Sequence, residues 1–285
     1  MKKSLLLIIL SLFFSVTSFG LTPDEEIALI KQIQGLTRTA TWTPDVTSVS
    51  HLTSEEKTQL CGLVFVPDRK AEKFVRSTPL IVRGSADLRT KGVVTAIRNQ
   101  RSCGSCWAFA MVACVEIVNN GTVDLSEQQL VSCCTSSHGC NGGYIGETGE
   151  WVISKGGVYT ESVYPYTSGT GVTGTCKTVS GTKYTIGSCS DCYDDDSVKA
   201  ALDEGLPVDT GMQVYADFMY YKSGIYKYTS GDYKGGHAIA IVGYNDAEGC
   251  WILKNSWGTG WGESGYFRMG YGECETPWMA VSVSK

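Results

Sequence analysis

The residues best suited to do chemistry lie in one short run, Gln100-Arg101-Ser102-Cys103-Gly104-Ser105-Cys106-Trp107. A loop containing Gly and Ser turns there into an apolar helix, and Cys106 stands at the join. A thiol at a helix N-terminus meets the positive end of the macrodipole and the unpaired N–H groups of the first turn. Both favour the thiolate, which is the nucleophilic form. The same N–H groups stabilise an oxyanion formed by attack at that point. Cys103 and Cys106 are also a C-x-x-C pair, and Cys189 with Cys192 is a second. Two such pairs would suit redox chemistry or a zinc ribbon. However, 82 residues separate them, against roughly 15–20 in a ribbon site, and neither opens a strand–helix–strand unit. The residues favour a nucleophilic Cys106 with no metal and no cofactor, only a reducing environment for the thiol.

Such a thiol needs a rigid helix beneath it. In "CWAFAMVACVEIVNNG", Ala110, Ala113, Cys114 and Ile117 fall at i, i+3, i+4 and i+7, and Gly121 ends the helix. Cys114 lies on that apolar stripe and reads as a buried, inert thiol. Ser126 caps a second helix in "DLSEQQLVSC". From about residue 205 the pattern changes. "HAIAIVGY", "CWILKNS" and "GYFRMG" are β-branched or aromatic runs between Gly, Asn and Asp, and they predict antiparallel strands. The class is α+β, a helical part followed by a β-rich part with no linker. Asp194-Asp195-Asp196-Ser197 reads as a turn and N-cap before "VKAALDEG" rather than a cation site. Near the N-terminus, Thr22 caps "PDEEIALIKQIQGL", with Ile27, Ile30 and Ile33 near helical spacing.

Composition narrows the setting. In 285 residues, 42% hydrophobic and 19% charged, a disordered or fibrous chain is excluded. A net charge of −5 argues against nucleic acid as a partner. Twelve Cys point to disulfides and an oxidising compartment. Lys2 and Lys3 precede the apolar run Leu5 to Phe14, and Ser18 and Gly20 sit at the spacing of a cleavage point. Residues 1–20 are therefore expected to be a secretory signal peptide. The run is about half the roughly 20 residues that a spanning helix needs, so no membrane association is expected after cleavage. Asn120-Gly121-Thr122 is a glycosylation acceptor sequence.

Cys-Gly-Ser-Cys-Trp at 103–107, Gly235-Gly236-His237-Ala238, and Lys254-Asn255-Ser256-Trp257-Gly258 occur in that order. His237 lies 131 residues after Cys106 and Asn255 lies 149 after it. In these motifs and spacings the chain resembles the papain-like cysteine peptidases. Trp42, Leu60-Cys61-Gly62 and "DFMYYKSGIYKY" resemble the cathepsin B-like branch. The resemblance implies a two-lobed fold, a helical left lobe and an antiparallel β-barrel-like right lobe, with the cleft between them. It implies a signal peptide at 1–20, an inhibitory propeptide over 21–80 (boundary between 76 and 85), and a peptidase domain over 81–285.

The implied roles follow residue by residue. Cys106 is the nucleophile, His237 the acid–base partner, Asn255 the group orienting the imidazole, and Gln100 an oxyanion donor. Gly142, Gly143, Tyr144, Ala238, Trp257 and Met279 line the substrate cleft, with Met279 at the base of the S2 pocket. The family pairing is Cys103 with Cys140 and Cys133 with Cys176. Cys134, Cys189, Cys192, Cys250 and Cys274 are left open, with 189–192 and 250–274 as guesses. An apolar S2 base implies little appetite for Arg at P2. The stretch from Tyr144 to Cys176 has no His and is too short for the occluding loop of cathepsin B, which implies an endopeptidase. Arg101 and Gly236 depart from the family pattern, where Gly and Asp or Asn are usual. The implied partners are protein substrates, the chain's own propeptide and cystatin-like inhibitors, for a monomer in a lysosome- or vacuole-like compartment or outside the cell. A peptide ligase on the same fold, and a non-catalytic peptide-binding homologue, are the alternatives.

Overall fold

A computed structural model describes residues 20–36, 41–65, 73–75 and 84–285. The expected signal peptide (except Gly20) and residues 76–83 of the expected maturation window lie outside the described residues. The N-terminal segment contributes α1 (Pro23–Leu36), β1 (Trp42–Pro44) and α2 (Ser54–Gln59). Thr22 opens α1 by exchanging hydrogen bonds with Glu25. The helix buries Glu26, Ile30 and Ile33, while Ile27 is 46% exposed. The inward face is therefore rotated from the expected stripe, and a carboxylate takes the place assigned to Ile27. α2 starts on a capping box, Thr53 with Glu56.

Beyond the segment come β2 (Ser85–Asp87), α3 (Cys106–Val118), α4 (Glu127–Cys133) and α5 (Glu147–Ser154). A separate antiparallel pair, β3 (Val158–Tyr159) with β4 (Lys183–Tyr184), closes the helical part. Then follow β5 (Ser188–Asp191), α6 (Asp195–Glu204), β6 (Val208–Tyr215), β7 (Tyr221–Tyr226), β8 (Tyr233–Asn245), β9 (Cys250–Lys254), β10 (Tyr266–Gly270) and β11 (Trp278–Ser284). One nine-stranded sheet runs β1-β7-β10-β9-β8-β6-β11-β5, with β2 on β8. Its pairs are antiparallel except β7 with β10, which is parallel. This is the α+β arrangement expected, helices first and a largely antiparallel sheet after them, with two additions. One strand comes from the N-terminal segment, and one pair runs parallel.

α3 lies against β8 and is buried from Cys106 through Ile117. The one-sided apolar stripe expected for it is in fact buried all round. Ala108, Ala110 and Ala113 keep the helix thin enough for close approach to the sheet. Cys114 is fully buried, as its place on the stripe implied. Ser126 receives the Gln129 N–H at 3.0 Å and caps α4. Asp194 receives the Ser197 N–H at 2.8 Å and caps α6, so the acidic run is a helix start. No cluster of metal-ligating side chains occurs among the described residues.

Disulfides join Cys103 to Cys140 and Cys133 to Cys176. The guessed pairs do not form. Cys189 lies within β5 and Cys192 just beyond its end, and both are free. Cys250 faces Gly270 across the β9–β10 ladder, whereas Cys274 lies in the short helical turn Glu273–Glu275, and both are free. Asn120 is exposed in a left-handed turn at the end of α3. Asp194→Ala is expected to cost about 1 kcal/mol through loss of the cap. For a domain of this size that lowers Tm by about 2–4 °C, measured by calorimetry. An unchanged Tm would contradict the assignment.

Candidate active site

Cys106 is the first residue of α3 and is fully buried. The loop before it is held from two directions. The Cys103–Cys140 disulfide ties it to the 139–143 loop, and the Gly104 N–H donates to the Cys140 carbonyl at 3.0 Å. Trp107 Nε1–H donates to the Gly139 carbonyl at 3.1 Å. A Cβ on Gly143 would lie 2.4 Å from the Trp107 ring, so only glycine lets that loop lie so close. On the sheet side, the Ala238 N–H donates to Cys106 Sγ at 3.4 Å. This contact joins the helical part to β8 at the expected nucleophile.

His237 pairs with Met212 in the β6–β8 ladder and is fully buried. Its Nε2 meets Asn255 Oδ1 at 2.8 Å. Asn255 follows β9 directly, and its backbone N–H donates to the Gly265 carbonyl at 3.0 Å. The Trp257 ring lies 4.7 Å from the imidazole, centroid to centroid, and is itself fully buried. It closes the His237–Asn255 bond off from water. His51 and His138 are both exposed and lie elsewhere, so His237 is the only histidine at this place.

Gln100 is buried, and its amide is fixed from both ends. Oε1 accepts from Ser256 Oγ at 2.7 Å, which turns Nε2 inward. Nε2 donates to the Cys103 carbonyl at 2.8 Å and to the Leu60 carbonyl at 3.1 Å. The second acceptor belongs to the N-terminal segment. That segment continues through the cleft. The Gly143 N–H donates to the Gly62 carbonyl at 2.9 Å, the Leu63 N–H to Gly236 at 3.0 Å, and the Val64 N–H to Gly143 at 2.8 Å. Leu63 pairs parallel to Gly143 and antiparallel to Gly236, as a strand added between the two lobes.

Burial sets the charge state of this covered site. Loss of water pushes the Cys106 thiol up to about 11, more than the N–H groups of Ala238, Gly62 and Trp107 pull it down. The same loss pushes the His237 imidazole down to about 4, against the opposing effects of Asn255 and the Leu60 carbonyl. In the covered state both groups are neutral.

The expected residues thus converge: Cys106, His237, Asn255, Gln100, Gly142, Gly143, Ala238 and Trp257 surround one cleft. Two stand apart. Tyr144 is turned to His138, its hydroxyl 3.0 Å from Nε2. Met279 is half-buried in β11, but it is its neighbour Trp278 whose ring lies 3.2 Å from a Cβ built on Gly211 and 3.4 Å from one on Gly236. A register irregularity between Trp278 and Val281 breaks the alternation by which a count along the strand would assign the inward residue. Sequence reasoning missed Trp278, Gly211, Ser256 and Tyr166, whose hydroxyl donates to the Gln100 carbonyl at 2.9 Å. Of these only Ser256 carried a signal, as the residue between Asn255 and Trp257.

Residues 82–284 match the papain family cysteine proteases. Zingipain-2 of Zingiber officinale is 40% identical over 194 residues, covering 65% of this chain and 86% of that protein. Cathepsin B-like CP3 of Giardia intestinalis is 39% identical over 193 residues, covering 62% of this chain and 64% of the relative's own length. Among solved structures, a recombinant stem bromelain precursor superposes with a TM-score of 0.78 at 29% identity, over 92% of this chain and 89% of that one. Procathepsin B S9 of Trypanosoma congolense has the same fold, with a TM-score of 0.81 at 23% identity over 93% and 98% of the two chains. The chain belongs to the papain family of cysteine proteases and is a cysteine-type peptidase.

Proposed function

We propose that the chain is made as a zymogen of the secretory pathway, that residues 21 to about 80 are its inhibitory propeptide, and that the mature enzyme is an endopeptidase. One observation carries the zymogen reading. The main chain of residues 60–64 occupies the cleft, with the Leu60 carbonyl on Gln100 Nε2. It runs from Cys106 towards Gly143 as residue numbers rise. A substrate with its acyl side on Gly142 and Gly143 runs the other way. The reversed polarity fills the cleft without presenting a peptide bond for attack. The likeness to a bromelain precursor supports the same reading.

With the segment gone, water returns and the neutral pair becomes thiolate and imidazolium. Cys106 Sγ attacks the scissile carbonyl, and the oxyanion takes hydrogen bonds from Gln100 Nε2 and the Cys106 N–H. His237 protonates the leaving amine, and water then hydrolyses the acyl-enzyme with His237 as base. Asn255 holds the ring in place, and Trp257 shields their bond. The S2 pocket is lined by Gly211, Gly236 and the Trp278 ring, where Leu63 now lies, with Ala238 the ladder partner of Gly211. That surface is apolar, with Met279 next in the chain, and it suits an apolar P2 residue. Likeness to a cathepsin B-like relative supports that branch, without the occluding loop.

The first test is turnover of Phe-Arg-aminomethylcoumarin after acid activation under mild reductant. Turnover is expected to be blocked by E-64 and lost in Cys106→Ala. Gln100→Ala is expected to lower kcat by about 10²–10³, the usual cost of one oxyanion donor. No turnover, and no E-64 adduct on Cys106 in processed protein, would sink the reading. On Arg-Arg-aminomethylcoumarin the expected kcat/KM is about a tenth or less, the scale of one mismatched pocket contact. Equal turnover of the two would refute the apolar pocket.

The third test concerns pH. The covered His237 has a pKa of about 4, below the 6.5 of the exposed imidazole. The covered Cys106 thiol is raised to about 11, so opening, which turns thiol and imidazole into thiolate and imidazolium, moves a proton within the pair and takes up none. Lys57 of the segment does take one up: burial lowers it from 10.5 to about 8, so between these values the closed form binds fewer protons and acidification favours opening. The labelling rate of Cys106 by E-64 in the full chain, relative to mature enzyme at the same pH, is expected to rise as pH falls from 10.5 towards 8. A flat ratio would contradict the linkage.

A further inference from the structure

Arg101 has no role in the chemistry above, yet it occupies a costly backbone position beside it. Its φ is +52°, the left-handed region that favours glycine. An ordinary residue there costs about 1 kcal/mol. The Arg101 N–H is taken by Asn99 Oδ1 at 2.8 Å, which helps hold the turn. The side chain extends over the bare face of Gly169, where a Cβ would fall 2.7 Å from Arg101 Cδ. It then reaches the mouth of a cleft of about 570 Å³ lined by Arg98, Glu161, Tyr166 and Thr170, among others. That volume lies within the range of ligand pockets.

The charges in this cleft are distinct. Arg98 is paired with Asp124. Glu161 Oε1 accepts the Tyr166 N–H at 2.7 Å, and burial raises its carboxyl above the usual range. Arg101 is exposed and forms no ion pair among the described residues. The cleft thus carries an unneutralised guanidinium at its mouth. A guanidinium offers paired N–H donors shaped for a carboxylate.

The N-terminal segment shows which side of the scissile bond this cleft serves. Leu63 lies against Gly143 and Gly236, on one side of Cys106. Leu60 lies on Gln100, and the Gln59 amide lies beside Gly171, on the other. With the acyl half of a substrate on Gly142 and Gly143, the Arg101 cleft receives the leaving half. Arg101 adjoins Gln100, so at roughly 3.5 Å per residue its guanidinium meets the chain about two residues past the scissile bond.

We propose that Arg101 makes this cleft a subsite for a carboxylate carried by the leaving half of the substrate, two or three residues beyond the scissile bond. The proposal rests on the endopeptidase reading above. The carboxylate is either an Asp or Glu side chain or the C-terminus of a short peptide. The test measures kcat/KM of the activated enzyme on internally quenched peptides. One pair carries Glu or Gln at the second and third positions past the cut, with amidated C-termini. Another pair has Gln there and ends at that point in either a free or an amidated C-terminus.

A carboxylate peptide is expected to be preferred by about 2- to 5-fold, carried by KM and shrinking as salt is added. Preference in the first pair identifies the side chain, and in the second the terminus. The preference is expected to fall to about one in Arg101→Gly and to survive in part in Arg101→Lys. Glycine relaxes at φ +52°, so the Gly variant keeps the fold. A wild-type ratio near one in both pairs, or a preference that persists in Arg101→Gly, would overturn the subsite alone. Cleavage of none of the peptides would overturn the subsite and the endopeptidase reading together.

Discussion

The uncapped start of α3 is the constraint on which the rest of the site depends. α2, α4 and α6 all begin on a side chain that takes up an orphan N–H group. α3 and α5 do not, and at α3 a capable residue is present but Ser105 turns its hydroxyl to Tyr166 instead. A buried helix end without a cap leaves donors pointing at whatever enters. The disulfide, the Trp107 anchor and the Ala238 contact hold that end open. Capping Cys106 by a neighbouring side chain would give a more stable helix and no site.

The same dryness that makes the donors effective also controls the charge. An ion pair needs water or compensating dipoles, and the covered site offers too little of either to keep thiolate and imidazolium apart from their neutral forms. In the proposed zymogen the segment therefore does two things. It fills space, and it holds the thiol and the imidazole in the state that cannot react. The two effects come from one act of burial and are lost together.

Much of this was legible in the sequence. Cys106 sat at a loop-to-helix join, and His237 and Asn255 stood at spacings whose meaning came from resemblance. The caps at Ser126 and Asp194 were local and were read correctly. The rest depended on tertiary contacts that leave no local mark. Ile27 faces outward because the burial of Glu26, Ile30 and Ile33 fixes the rotation of α1. Trp278 reaches Gly211 and Gly236 beside a register irregularity that breaks the alternation of β11. Tyr166 reaches Gln100 from a loop 66 residues away. The parallel β7–β10 pair could not be seen in runs that only say strand.

The N-terminal segment also touches both outer strands of the sheet. β1 pairs with β7 at one end, where Trp42 is buried against Tyr221 and Tyr226. At the other end the Phe74 N–H donates to the Asp191 carbonyl on β5 at 2.9 Å. Bare edge strands recruit other chains. While the domain folds, the segment therefore denies neighbouring molecules a template at both margins. Its proposed removal exposes those margins only once the interior is already closed, so the order of events protects the chain from self-association.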